Sequence, residues 1–186
     1  MEDEEKEASL AYWTPERILE REERSRRARS ARAKGARIER EAAKIFSAWW
    51  GKQFKRSAYS GAYGTMAEDA PEQIGDLRTP PDFPYTVEVK AVELSMDGIF
   101  LKNRRSSAER LWDQAKAQAE KAKKKPLLVL KRRLWPYIVV GIGRLDAIPD
   151  GDDVVIHTRF GFDNDLVFIT GLEFFMENFD KATAKT

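Results

Sequence analysis

TVEVK, residues 86–90, is the stretch from which the rest of the chain is read. Successive side chains of a β-strand point to opposite faces, so Val87, Val89 and Ala91 share one face while Glu88 and Lys90 share the other. At a rise of about 3.3 Å per residue, that carboxylate and that ammonium lie about 7 Å apart along the strand. Upstream, QIGDLRTP (residues 73–80) supplies a second carboxylate, Asp76, at the start of a short extended piece that Pro80 and Pro81 must end or divert. With Asp76 on a neighbouring strand, two carboxylates converge on one lysine. Carboxylate and carbonyl oxygens are the hard ligands that Mg2+ prefers, and the ion keeps several waters while it also takes a substrate phosphate. It can lower the pKa of a bound water, polarise phosphorus and stabilise a leaving oxygen. An acid and a lysine two residues apart also arise by ordinary alternation on a solvated strand face, so the pair alone leaves a structural and a chemical reading open.

Outward from this strand, the pattern is mixed α/β. Thr14-Pro15-Glu16 reads as a helix start, with Thr14 as N-cap and Pro15 in the first turn of a highly charged helix. After Gly35, the spacing of Ile38, Ala42, Ile45, Phe46 and Trp49 predicts a core-facing helix over 36–50. Residues 52–59 read as a strand and 60–75 as a loop. The strand over 85–93 is followed by a short one over 98–102, then by a helix over 106–124 whose apolar side is Ala108, Leu111, Ala115 and Ala119. LLVLK (127–131) and YIVVGIG (137–143) are β-branched runs that predict two adjacent central strands. DLVFIT (165–170) predicts a last strand and LEFFMENF (172–179) a short amphipathic helix. At 186 residues this fits an N-terminal charged helical arm over 1–33 and a single domain over 34–186.

Composition removes several classes of chemistry. There is no cysteine, which excludes disulfides, zinc–thiolate sites and a cysteine nucleophile. The single histidine, His157, has no serine nearby in a nucleophile-elbow context, and an ordinary packing or surface role is the simpler reading. Trp49, Trp50 and Trp112 recur among apolar neighbours and are expected in the core. The N-terminus is acidic where a signal peptide is basic and then apolar, and no apolar run reaches the roughly 18 residues of a membrane span, so a cytoplasmic protein with no membrane partner is expected. The formal net charge is only +2, yet residues 21–44 hold ten basic residues against four glutamates. That run is either a solvated helix face or a set of phosphate contacts.

Taken in order, KGARIERE (34–41), RSAYSG (56–61), GD (75–76), VEVK (87–90) and PLLVLK (126–131) resemble the archaeal-type Holliday-junction resolvases of the PD-(D/E)xK nuclease superfamily. The resemblance covers residues 34–140, with a looser echo in VFITGLEFFMENF (167–179). It implies a central mixed β-sheet flanked by helices, to which this chain adds the N-terminal basic helix. It further implies Asp76 and Glu88 as direct metal ligands helped by the Val89 carbonyl, Glu39 as the helix-borne acid that completes the site, and Lys90 as the catalytic lysine. Ser60 matches a loop serine near the scissile phosphate, and Arg37, Arg40, Arg56 and Lys131 match basic positions used on DNA. Gln114, followed at helical spacing by Gln118, is similar to the glutamine that relatives place beside the active site, although an amide on an exposed helix needs no function.

The implied activity is structure-specific endodeoxyribonuclease action in DNA recombination and repair, with Mg2+ (Mn2+ as the alternative) as cofactor and no small-molecule cofactor. Its substrate would be a four-way junction resolved by paired symmetric cuts of a homodimer, whose contact surface is expected around Trp135, Phe160, Phe162 and Phe174. The chain differs from the pattern in a longer insert over 62–74, in Gly75 where the superfamily name has proline, and in the basic segment before Gly35. A duplex-cutting restriction or repair nuclease of the same superfamily and a noncatalytic DNA-binding protein are the two other readings.

Overall fold

The computed structural model describes residues 14–57, 74–92, 107–145, 153–161 and 163–179. Ser60, the insert up to residue 73, the strand expected over 98–102, Phe162 and the side chain of Phe160 lie outside that set. In chain order the elements are α1 (Pro15–Trp50), β1 (Lys55–Arg56), β2 (Leu77–Arg78), β3 (Tyr85–Ala91), α2 (Ser107–Ala122), β4 (Lys125–Lys131), β5 (Tyr137–Ile142), β6 (Ile156–Phe160), β7 (Asp165–Gly171) and α3 (Leu172–Asn178). Among the described residues no helix is long and apolar enough to cross a membrane.

The strands form one mixed seven-stranded sheet in the order β1-β2-β3-β4-β5-β7-β6. Its parallel pair is β3 with β4, from Tyr85↔Lys125 to Ala91↔Lys131, and α2 lies between the two in sequence, as a parallel crossover requires. The other pairings are antiparallel. Alternation along the strands divides the core in two. Val87, Val89, Leu127, Val129, Val139 and Phe168 face Ile38, Ala42, Ala43, Phe46 and Trp50 of α1 together with Leu172, Phe174 and Phe175 of α3. Leu128, Leu130, Val140, Val167 and Ile169 face Ala108, Trp112 and Ala115 of α2. Glu88 and Lys90 alternate with the first set, which directs them to the α2 side of the sheet.

Four details depart from the sequence-based expectations. The charged run and the core-facing helix are a single helix, because the one glycine between them costs only about 1 kcal/mol, less than flanking helix formers supply. Backbone contacts nevertheless divide the chain into residues 1–36 and 37–186. In the first unit the described helix is exposed and carries the surface pairs Arg24–Glu20 and Arg27–Glu23 one turn apart. The strand expected over 52–59 shrinks to Lys55–Arg56, an edge too short to offer much free ladder. A strand that the sequence pattern does not announce, β6, closes the far edge by pairing with β7. Finally, Phe174 is 4 % exposed within the core and so does not belong to an outward dimer surface, a correction that follows from α3 packing its aromatic side onto the sheet.

Candidate functional site

The site begins at the join between the loop before β2 and the middle of β3. Asp76 donates its backbone N–H to the Val87 carbonyl (3.0 Å), which aligns it antiparallel to β3. Its side chain then turns along the same strand edge: Oδ2 accepts from the Val89 amide (2.9 Å) and from Lys90 Nζ (2.8 Å). Lys90 Nζ also reaches Glu88 Oε1 at 2.6 Å. The pair separated by one pleat along the strand is thereby drawn into contact, with the lysine bridging both carboxylates. Because the N–H and C=O of one strand residue leave on the same side, the Val89 carbonyl is directed to the Asp76 side of β3.

These groups are held out of water. Glu88 is 1 % exposed and Asp76 4 %. The carboxyl of Glu88 is pushed above its usual range by burial first and by the Asp76 charge second, with Lys90 pulling the other way. For Lys90, burial favours the neutral amine, but Glu88 and Asp76 outweigh it and the ammonium is held above its ordinary range. The face that alternation alone leaves open to solvent is instead roofed by α2. Gln114 Nε2 donates to Glu88 Oε1 (2.9 Å), and one turn on, Gln118 Oε1 accepts the Gly75 N–H (3.2 Å). One side of α2 thus fixes both carboxylates, the first by its oxygen and the second through the residue before it.

Glu88 Oε2 is the atom these contacts leave over. It is buried and takes no hydrogen bond, which is costly for a carboxylate oxygen unless something positive meets it. Asp76 Oδ1 likewise takes no part in the bonds just described. Two carboxylates with a directed backbone carbonyl are a donor set of hard oxygens, and Mg2+ needs no more than one or two carboxylates besides waters and phosphate. The residues present therefore fit such an ion. Among the described residues no group of three or more acidic, histidine or cysteine side chains is placed to hold a metal ion.

Residues 30–185 match the family model described as "Phage putative PDDEXK endonuclease". The chain belongs to this phage PDDEXK endonuclease family. Nothing among the curated proteins or the solved structures matches it. Membership of the phage PDDEXK endonucleases brings the chain into the PD-(D/E)xK superfamily and gives DNA as its substrate class.

The remaining predicted residues lie on several different elements. Glu39, 9 % exposed on α1, accepts from Arg56 Nε across to β1, and its charge is felt at Glu88. Arg40 is exposed on α1. Arg37, at the start of the second unit, acts electrostatically on the buried Tyr137 phenol, which burial and then Glu41 push well up. Lys131 packs its ammonium over the Tyr137 ring (4.6 Å to the centroid) and donates to the Trp135 carbonyl. His157 lies exposed on β6, where its Nε2 accepts the Leu145 amide (3.2 Å). Trp50 and Trp112 are buried, Trp112 donating to Asp165 Oδ2 (3.0 Å). Gln118 enters the sequence reading only as the helical neighbour of Gln114. Its i,i+4 spacing on the same helix face is the signal that both serve one site.

Proposed function

We propose that the protein is a Mg2+-dependent endodeoxyribonuclease that cuts branched DNA, resolving four-way junctions as a two-fold symmetric dimer. The observation that carries the hydrolytic reading is the buried Asp76–Lys90–Glu88 cluster with its unpartnered Glu88 Oε2. In this reading Asp76, Glu88 and the Val89 carbonyl hold the ion, and Glu39 acts at the margin of the site. A bound Mg2+ supplies Lewis-acid polarisation of the phosphodiester and a lowered pKa for the attacking water. Gln114 fixes Oε1 of Glu88 so that Oε2 is presented. Lys90 Nζ, now shared between the two carboxylates, orients the attacking water and stabilises charge that develops on the phosphate. Burial of both acids keeps competing solvent out. Ser60 takes the place near the scissile phosphate, and Arg37, Arg40, Arg56 and Lys131 contact the DNA backbone.

The choice of branched DNA is supported by the ordered motifs from KGARIERE to PLLVLK. Two cuts in opposed strands call for two sites related by a two-fold axis, hence the dimer. A second reading is a nuclease of the same superfamily that acts on ordinary duplex, with which the family match is equally compatible.

Cleavage of a synthetic four-way junction and of a linear duplex with the same arm sequences, with and without Mg2+, separates these readings. Metal-dependent, paired cuts in the junction with the duplex left intact are expected, and Asp76→Asn should abolish them. Equal cutting of both substrates would move the protein to the second reading. DNA binding without metal-dependent cutting would leave a noncatalytic DNA-binding protein.

A further inference from the structure

The turn between β4 and β5 is built against the ordinary rules of a hairpin tip. Its sequence, Lys131-Arg132-Arg133-Leu134-Trp135, puts three cations directly before two large apolar side chains. The Trp135 amide donates to the Arg132 carbonyl (3.3 Å), which makes residues 132–135 a four-residue turn with Leu134 in its third position. Leu134 has φ +66, the left-handed conformation that this turn position usually assigns to glycine or asparagine. It is also 93 % exposed, so the side chain gives the folded chain almost no burial in return for that strain. Trp135 is 38 % exposed, with the Arg132 guanidinium over its ring at 5.1 Å. A strained, exposed leucine beside an exposed tryptophan and a run of cations points to a ligand that is apolar at one spot and anionic around it.

Sheet topology brings this tip to the active-site end. β4 runs parallel to β3 with Lys90 opposite Leu130 and Ala91 opposite Lys131, and Val92 N–H bonds to the Lys131 carbonyl at 3.0 Å. The turn therefore continues beyond the same end of the sheet at which Lys90 stands, one strand away.

We infer that this turn is a second DNA-contacting element that recognises interrupted base stacking, with Leu134 set against the exposed face of a base and Arg132 and Arg133 on the flanking phosphates. The inference rests on the reading of the protein as a DNA nuclease, and it assigns to the turn the selection of branched over continuous duplex. A continuous duplex presents the same phosphates but no open base face.

The test uses Leu134→Gly, which suits φ +66 and leaves every described hydrogen bond of the turn in place. Binding is measured in the Glu88→Gln background in Mg2+, so that DNA stays intact, with a four-way junction carrying 2-aminopurine at the branch point and a linear duplex of the same arms. Leu134→Gly should weaken junction binding about tenfold, as loss of one apolar wedge against a base face would, and remove the fluorescence rise of the unstacked 2-aminopurine. Its duplex affinity should stay within about twofold. Unchanged junction binding, or equal weakening on junction and duplex, would overturn the inference. Leu134-dependent junction binding, together with no Mg2+-dependent cutting of junction or duplex by the wild-type chain, would sink the nuclease reading and leave the turn's role standing.

Discussion

Gly75 stands where the superfamily name has a proline, and the backbone shows why proline is unsuitable here. Its φ is +97, and a Cβ would lie 2.8 Å from the Val87 carbonyl oxygen and 2.9 Å from Thr86 Cγ2. Proline is confined to φ near −65° and has no N–H, so it would also forfeit the bond to Gln118. Gly75→Pro is expected to cost about 2–3 kcal/mol, seen as a lower urea midpoint at unchanged slope. At Glu88 the expectation has the opposite sign for stability. Burial and the Asp76 charge both disfavour its carboxylate, and glutamine keeps the shape without the charge. Glu88→Gln should leave thermal stability equal or raised, by up to about 1 kcal/mol, while cleavage falls by about 10²–10³ or more. The rise in Tm that Mg2+ gives the wild type should vanish in the variant, because an ion stabilises only the state that binds it.

At the scale of the element, α2 is the part that turns two acids into a site. Gln114 and Gln118 are one turn apart and meet the Glu88 carboxylate and the Gly75 amide. On another side of the helix, Trp112 and Lys116 bind Asp165, with Lys116 also on Asp163, so α2 is pinned at the β6–β7 end as well. Gln114→Ala removes a donor to a proposed metal ligand without touching the buried alanine and tryptophan row. It should lower metal affinity or cleavage about 10- to 100-fold with little change in unfolding, read from the Mg2+ dependence of the cleavage rate. A proportionate loss of thermal stability would instead mark the amide as a packing residue.

Over the whole molecule, charge is divided by location while the sum stays near neutral. The described part of residues 1–36 is an exposed helix dense in arginine, and the carboxylate site belongs to residues 37–186. If the arm binds phosphates, Arg26→Gln, Arg29→Gln and Arg32→Gln together should weaken DNA binding and flatten the slope of log K against log salt by about 0.9 for each phosphate no longer neutralised. The cleavage rate at saturating protein should be unaffected. An unaltered slope would return the arm to a solvated face.

Local pattern determined much of this protein. The alternation of TVEVK placed Val87 and Val89 opposite Glu88 and Lys90, the spacing of Ala108, Ala115 and Ala119 marked α2, and the β-branched runs marked β4 and β5, since each of these periods is a property of neighbouring residues. Glu88 and Lys90 were legible as candidates for the same reason, whereas Asp76 and Gln114 became candidates chiefly through the resemblance carried by the ordered motifs. Three things were not legible. IHTRF, with polar His157, Thr158 and Arg159 at its centre, carries no apolar run and becomes β6 by pairing with β7. The continuity of α1 through Gly35 depends on a small propensity cost that sequence punctuation overstates. Above all, the Glu88 face looked solvated, and its burial is the work of α2, which comes from a segment some twenty-five residues further along the chain. Spacing along the chain could name the carboxylates, but only the packing of a distant helix could desolvate them, occupy one oxygen of Glu88 and leave the other unpartnered.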